Sequence, residues 1–297
     1  MPLVSLARML ADARSGGYGV CYCESWNLES LQAVLEAAEE CQSPIIAGFN
    51  GGFLRHPSRS KPEDLSYYAG LRLALTRSPV PVAFLLNESD SQAQIELGIE
   101  LGFNAVMPEN EGLDHDQYRN FVNAVVAFAH PRNVWVEAQL GVLPNGAGTN
   151  NGHCEVTDPE RARRFVEETG VDALAVSIGN VHVLTAGRAS IDIDALRRVA
   201  EKVTVPLVLH GGTSFAHDRL RDLVDLGVAK FNFGTLLKQA YLEAVKEKLA
   251  AYQRPLNPHA FLGIGGDLDI MMAGRVAVKG KVRELLQACG SMERATK

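Results

Sequence analysis

Apolar and polar residues alternate along the chain in two recurring periods. Short apolar runs near residues 18–23, 43–49, 80–87, 104–109, 133–140, 173–178, 206–210 and 228–233 have the length and composition of buried strands. Between them, apolar positions recur every three to four residues over 28–41, 63–77, 90–102, 114–130, 158–169, 192–202, 216–227 and 235–252, which predicts a helix after every strand. Eight strand–helix units within about 250 residues match the count and size of a (β/α)8 TIM barrel. The expected fold class is therefore α/β, with a single TIM-barrel domain over residues 1–297. The amphipathic stretch MPLVSLARMLADARSGG predicts an N-terminal helix capping the barrel bottom, and 259–289 predicts one or two additional C-terminal helices packed outside. A doubly wound open sheet is the alternative, but its usual strand count is lower and no G-x-G-x-x-G follows the first strand.

Composition narrows the setting. Hydrophobic residues make up 46% of the chain and charged residues 22%, ordinary values for a globular core. No apolar run is long enough for a transmembrane helix, and the N-terminus lacks the apolar block and cleavage site of a signal peptide. The five cysteines are an odd number without a CxxC pair, and Cys21 and Cys23 share one strand face, where they are badly placed to bridge each other. A reduced, cytoplasmic protein is expected. The net charge of -6 provides no basic footprint, so neither nucleic acid nor a membrane is expected as a partner. An anionic ligand would have to be held by local positive groups.

The candidate chemistry lies at the strand ends. PLVLHGGTS (Pro206 to Ser214) and AKFNFGT (Ala229 to Thr235) each run from a strand through a small-residue turn towards a helix. Such turns bring backbone N–H groups to one point, and a helix N-terminus behind them favours an anion. These are the loops after strands 7 and 8, a frequent phosphate site of the barrel fold. They predict a phosphorylated small-molecule substrate seated on Gly211, Gly212, Ser214, Gly234 and Thr235. His210 ends strand 7 and His182 follows strand 6, so both can reach one metal ion. Glu88, at the end of strand 3, is the candidate third ligand of an open zinc site. Its alternative role is an acid at the N-terminus of the following helix. Alternation places Trp135, Glu137 and Gln139 on one face of strand 5, and Lys230 and Asn232 on one face of strand 8. A buried Lys230 is either a Schiff-base nucleophile or the ion-pair partner of a residue such as Glu137. Asn27, Arg55, His56, Arg59 and His153 are further contact candidates, and His153 with Cys154 a further metal pair; an exposed position is the plainer reading of each.

Nearly the whole chain resembles the class II ketose-bisphosphate aldolases, in particular the fructose- and tagatose-bisphosphate branch. TDPERARRFVEETGVDALAVSIGNVH (Thr157 to His182) is similar to the family segment ending in a metal-binding histidine, VPLVLHGGTS to the segment with the second, and GVAKFNFGTLLK (Gly227 to Lys238) to the last strand with its substrate-binding Asn232 and Thr235. The resemblance implies a TIM barrel, a homodimer or homotetramer, and Zn2+ or another divalent metal that polarises a ketose carbonyl and stabilises an enediolate. The family's His-x-Asp-His at the end of strand 3 falls on Leu85 to Glu88, so that Asn87 replaces the proton-transfer acid and Glu88 a histidine ligand. Glu109 replaces the usual aspartate after strand 4, Gln139 opens a QLG where Glu-Leu-Gly is usual, and Val183 replaces a glycine. The acidic Gly-Gly-x-Glu-Asp segment after strand 5 is reduced to Glu155.

The metal and phosphate halves of the pattern are kept while the proton-transfer half has changed. Three functions fit. The first is a metal-dependent, aldolase-like carbon–carbon lyase of altered chemistry, with metal on His182, His210 and Glu88 and with Glu109 moving the proton in place of Asn87, or Glu88 doing so where it is not a ligand. The second is a non-catalytic sugar-phosphate-binding homologue. The third is a metal-free isomerase, epimerase or Schiff-base enzyme using Lys230.

Overall fold

A computed structural model of the chain describes residues 3–295 except 142, 145, 147–154, 185, 186, 188, 254 and 255. Eight parallel strands, β1 (Val20–Ser25), β2 (Ile45–Asn50), β3 (Val82–Ser89), β4 (Ala105–Pro108), β5 (Trp135–Leu140), β6 (Ala173–Val176), β7 (Leu207–Leu209) and β8 (Val228–Phe233), close in sequence order into a barrel. The α/β barrel expected from periodicity is thus the observed fold.

The helices are α1 (Leu6–Gly16), α2 (Leu28–Glu40), α3 (Gly51–Leu54), α4 (Leu65–Gly70), α5 (Arg72–Thr76), α6 (Gln92–Glu100), α7 (His115–Ala129), α8 (Pro159–Thr169), α9 (Ile193–Ala200), α10 (Leu220–Asp225), α11 (Thr235–Leu249), α12 (Pro258–Phe261) and α13 (Ile270–Cys289). None among the described residues is long and apolar enough to cross a membrane. Two segments differ from the periodic expectation. The stretch 63–77 is broken into α4 and α5 at Gly70, a residue that loses the most backbone freedom in a helix. The stretch 216–227 opens with a 3-10 turn, His217–Arg219, because Ala216 offers no capping side chain.

Alternation along the strands sorts the interior. Val20, Tyr22, Ile46, Ala83, Leu85, Ala105 and Met107 fill the lower barrel and pack against Leu6, Met9, Leu10 and Ala13 of α1, which closes the bottom. Outward positions such as Cys21, Phe84, Leu86 and Phe231 join the layer beneath the helices. Small residues in the strands let the neighbours pair closely: a Cβ on Gly48 of β2 would lie 1.9 Å from the carbonyl oxygen of Leu85. Towards the C-terminal ends the interior turns polar, with Asn50, Asn87, Glu137, Gln139, His210, Lys230 and Asn232 all buried. Buried polar groups are tolerated only when paired, so this upper layer is where chemistry is to be sought.

Candidate active site

Glu88 is brought into the barrel by a break in the strand. Strict alternation in β3 sends Asn87 inward with Ala83 and Leu85, and Glu88 outward with Phe84 and Leu86. The β3–β4 register shifts between Leu86 and Ser89, and Glu88 takes a left-handed backbone with φ 49°. A bulge of this kind re-aims a side chain, at a cost of roughly 1–2 kcal/mol for a residue other than glycine. The carboxylate then lies 3.1 Å from His210 Nδ1 and accepts a hydrogen bond from the Asn50 amide. Its alternative as a helix-terminal acid is not realised, because Ser91 caps α6 instead.

His210 follows β7, fully buried, with both ring nitrogens engaged: Nδ1 with Glu88 and Nε2 with Glu137 at 2.9 Å. Burial would lower its pKa, but the two carboxylates outweigh burial and raise it. Conversely, burial would raise Glu88, and the His210 hydrogen bond with the charges of His182 and His210 draws it down to about 2. His182 sits beside them, its ring centroid 5.9 Å from that of His210, and burial lowers its pKa, which favours the neutral imidazole a metal requires. Val183, next to it, has φ 51°. A left-handed β-branched residue is strained, which explains physically why glycine suits this position.

The candidate ligand atoms of Glu88, His182 and His210 all lie within 4.8 Å of one another. Two imidazole nitrogens and one carboxylate oxygen form a donor set suited to a divalent metal with an open position. The neighbouring Asn87 carbonyl oxygen Oδ1 is buried without a hydrogen-bond partner, a polar atom awaiting one. Glu109, after β4, accepts from the N–H groups of Asn110 and Glu111, yet burial and the charge of Glu88 push its pKa up to about 7. A carboxyl balanced near neutrality can both give and take a proton.

Lys230 is wholly buried, its ammonium 2.8 Å from Glu137 Oε2 and donating to Asn232 Oδ1 at 2.6 Å. The ion-pair alternative for Lys230 is the arrangement found.

The two small-residue turns lie on the β7–β8 side. A Cβ on Gly211 (φ 69°) would come within 2.3 Å of the Val181 carbonyl oxygen, and one on Gly212 within 2.3 Å of the Phe233 ring. The Ser214 hydroxyl donates to Val181 O and accepts from Val181 N–H, while its own N–H donates to Gly211 O. Both of its donors therefore hold the turn in shape. Gly234 precedes α11 with no side-chain cap; Leu237 N–H already donates to Gly234 O, and the N–H groups of Thr235 and Leu236, which have no partner within the helix, remain for an anion.

Periodicity gave no hint of two further groups at this edge. Lys238, in the first turn of α11, is ion-paired with Glu24 at the end of β1 and lies 4.3 Å over the Phe53 ring. Glu24 Oε2 is 2.9 Å from where a Cβ on Gly234 would stand. A lysine in the first turn opposes the helix dipole, which is the one sequence signal that marked it. Of the other contact candidates, Asn27 caps α2, Arg59 bonds Phe53 O and Glu63, Arg55 lies 3.8 Å from Asp90, and His56 lines the cavity described next. His153 and Cys154 lie outside the described residues.

A cavity of about 990 Å³ opens from Glu88 and His182 across the loops after β2, β3, β4, β5 and β6. Glu88 and His182 of the metal-ligand cluster line it, while His210 and the turns after β7 and β8 are not part of its described wall.

The pKa directions give a stability profile for metal-free protein. A histidine whose folded pKa is raised contributes stability that is fully present below the ordinary value of about 6.5 and lost as pH rises through the folded value. Chelator-treated protein is expected to melt at progressively lower temperature as pH rises through that window. His210→Gln removes this dependence; an unchanged slope in thermal melts from pH 6 to 9 would refute the assignment.

A family model described as fructose-bisphosphate aldolase class-II matches residues 4–294. Among solved structures, the YdjI aldolase from Escherichia coli K12 superposes with a TM-score of 0.83 at 29% identity, covering 99% of this chain and 100% of that one. The fructose-bisphosphate aldolase (Fba) of Campylobacter jejuni superposes with a TM-score of 0.74 at 21% identity over 98% of this chain and 96% of that one, a likeness of fold.

Proposed function

Because the chain belongs to the class-II fructose-bisphosphate aldolase family, we propose that it is a zinc-dependent aldehyde-lyase that cleaves a carbon–carbon bond in a phosphorylated ketose. The observation that carries this reading is the convergence of Glu88, His182 and His210 within 4.8 Å beside the turns after β7 and β8. These three residues hold the metal, which supplies Lewis acidity at the ketose carbonyl when bound.

The remaining roles belong to the protein. The N–H groups of Gly211, Gly234 and Thr235 seat the phosphate, with Ser214 holding their turn; Gly212 donates its N–H to Asn232 O, and the Asn232 side chain, held by Lys230 and His210, fixes the β8 end beside them. Asn87 presents its unpartnered Oδ1 to a substrate hydroxyl and orients it. Cleavage requires a base for the proton of the hydroxyl on the β-carbon, and the fragment that keeps the carbonyl must regain a proton at the broken position. Asn87 has no proton to exchange. Glu109, held near pKa 7, takes over this task. We further infer a single-domain homodimer or homotetramer in the cytoplasm; the free, buried Cys21, Cys23, Cys41 and Cys289 support a reducing setting.

Protein purified without chelator is expected to carry one divalent metal per chain and to release a triose phosphate from a ketose phosphate. Chelation should abolish turnover and Zn2+ restore it. A preparation without stoichiometric metal would sink the metal-dependent reading, and metal without turnover on any ketose phosphate would leave a binding protein. Asn87→Asp combined with Glu88→His restores the common family arrangement. If Asn87 is merely a lost acid, cleavage rises roughly tenfold or more, the low end of general-base catalysis; no gain identifies the Glu109 arrangement as chemistry of its own.

A further inference from the structure

The walls of the large cavity say what the far end of the substrate carries. With the phosphate on the β7–β8 turns and the carbonyl at Glu88, His182 and His210, the remaining carbons extend into the space between the loops after β2 and β6. Five carboxylates beyond the metal-ligand cluster line that space: Asp90, Glu109, Glu111, Asp114 and Glu155. The only lysine or arginine in its described lining is Arg161, and its guanidinium lies 3.1 Å from Glu155 Oε1. The opposite edge differs: there the α11 N-terminus favours an anion, with Lys238 beside it paired to Glu24.

We propose that the enzyme is selective for ketose 1-phosphates whose far end is an uncharged polyol and rejects ketose 1,6-bisphosphates, with Asp90 and Glu111 setting the selectivity. The proposal rests on the placement of the first phosphate given above. A second phosphate would bring about two further negative charges among these carboxylates; solvent screens part of the repulsion at the exposed Asp90 and Glu111, but no unpaired lysine or arginine stands in the described wall, Arg161 being paired with Glu155, and Arg55 lies 3.8 Å from Asp90. A polyol suits the same wall, because carboxylates accept hydrogen bonds from hydroxyl groups. The volume of about 990 Å³ also leaves room for a chain longer than a triose.

The test separates this inference from the lyase assignment. Glucitol 1-phosphate and glucitol 1,6-bisphosphate lack the carbonyl and cannot be cleaved, so their binding to zinc-loaded protein, measured by titration calorimetry, reads selectivity without turnover. The monophosphate is expected to bind at least tenfold more tightly. Asp90→Asn with Glu111→Gln, both exposed side chains, should narrow that ratio several-fold by improving the bisphosphate. Equal or tighter binding of the bisphosphate by the wild-type protein overturns the proposal, even if the protein proves to be an aldolase. A retained preference without any ketose cleavage overturns the lyase assignment and leaves the selectivity standing. Failure of both glucitol phosphates to bind overturns the selectivity together with the phosphate placement.

Discussion

His210→Ala is expected to abolish zinc binding and to lower the melting temperature of the metal-free protein on the order of 10 °C. His210 is the one cation-forming group between Glu88 and Glu137, 3.1 Å from the first and 2.9 Å from the second. Its removal takes a metal ligand from the cluster and, in the same stroke, leaves Glu88 beside only His182 and Glu137 paired only with Lys230. Removing one member of a buried ionic pair costs about 3–5 kcal/mol, because the remaining charge is neither hydrated nor balanced. At roughly 2–4 °C per kcal/mol for chains of this order of size, the melting shift follows. His182→Ala provides the contrast. His182 is only half-buried and is anchored through its backbone, N–H to Pro144 O and carbonyl to Gly146 N–H. Its loss should remove stoichiometric zinc while leaving the melting of metal-free protein within about 1 kcal/mol of wild type. Metal analysis and calorimetric melting of both variants decide the matter: equal melting shifts would show that the two carboxylates do not depend on His210.

The barrel was legible in the sequence because its determinants are local. Strand and helix periods, repeated eight times, need no knowledge of what lies across the molecule, and the histidines that end β7 and follow β6 advertise themselves as polar groups on apolar strands. Glu88 shows the limit. Its role requires a backbone at φ 49°, and alternation alone sends its side chain to the wrong face. Its place at the end of strand 3, and then the family resemblance, marked it as a ligand; only the bulge explains how it arrives. Long-range pairs were less visible still. Glu24 meets Lys238 from 214 positions away and Glu137 meets His210 from 73, and neither pairing leaves a periodic trace. Ser214 was readable as part of a turn, yet not as a residue whose two donors are spent on holding that turn. The cavity wall was hidden for the same reason, since its carboxylates come from loops after three different strands.

Lys230→Met should be the most damaging conservative-volume change outside the metal ligands, by about 3–5 kcal/mol. Glu137 has two cationic neighbours, His210 at Oε1 and Lys230 at Oε2, and both Lys230 and Glu137 are entirely withdrawn from water. Burial lowers the lysine pKa and the attraction of Glu137 opposes it, with burial prevailing in the balance. The same burial would raise the Glu137 carboxyl, yet Lys230 and His210 hold it below its usual range. A methionine fills the space without the charge, so the cost measures the abandoned carboxylate rather than a cavity. Adding Glu137→Gln should recover about half or more of the loss, since both halves of the pair are then neutral; purely additive losses would show that the pair is not coupled. The same geometry bears on the Schiff-base alternative. An amine enclosed at 0% exposure and bonded to Asn232 cannot reach a carbonyl seated at the metal cluster without breaking both of its partnerships. Borohydride added during turnover is therefore expected to leave the chain at its native mass. A trapped adduct on Lys230 would mean that the buried pair opens in catalysis and that the carbonyl is activated by the amine.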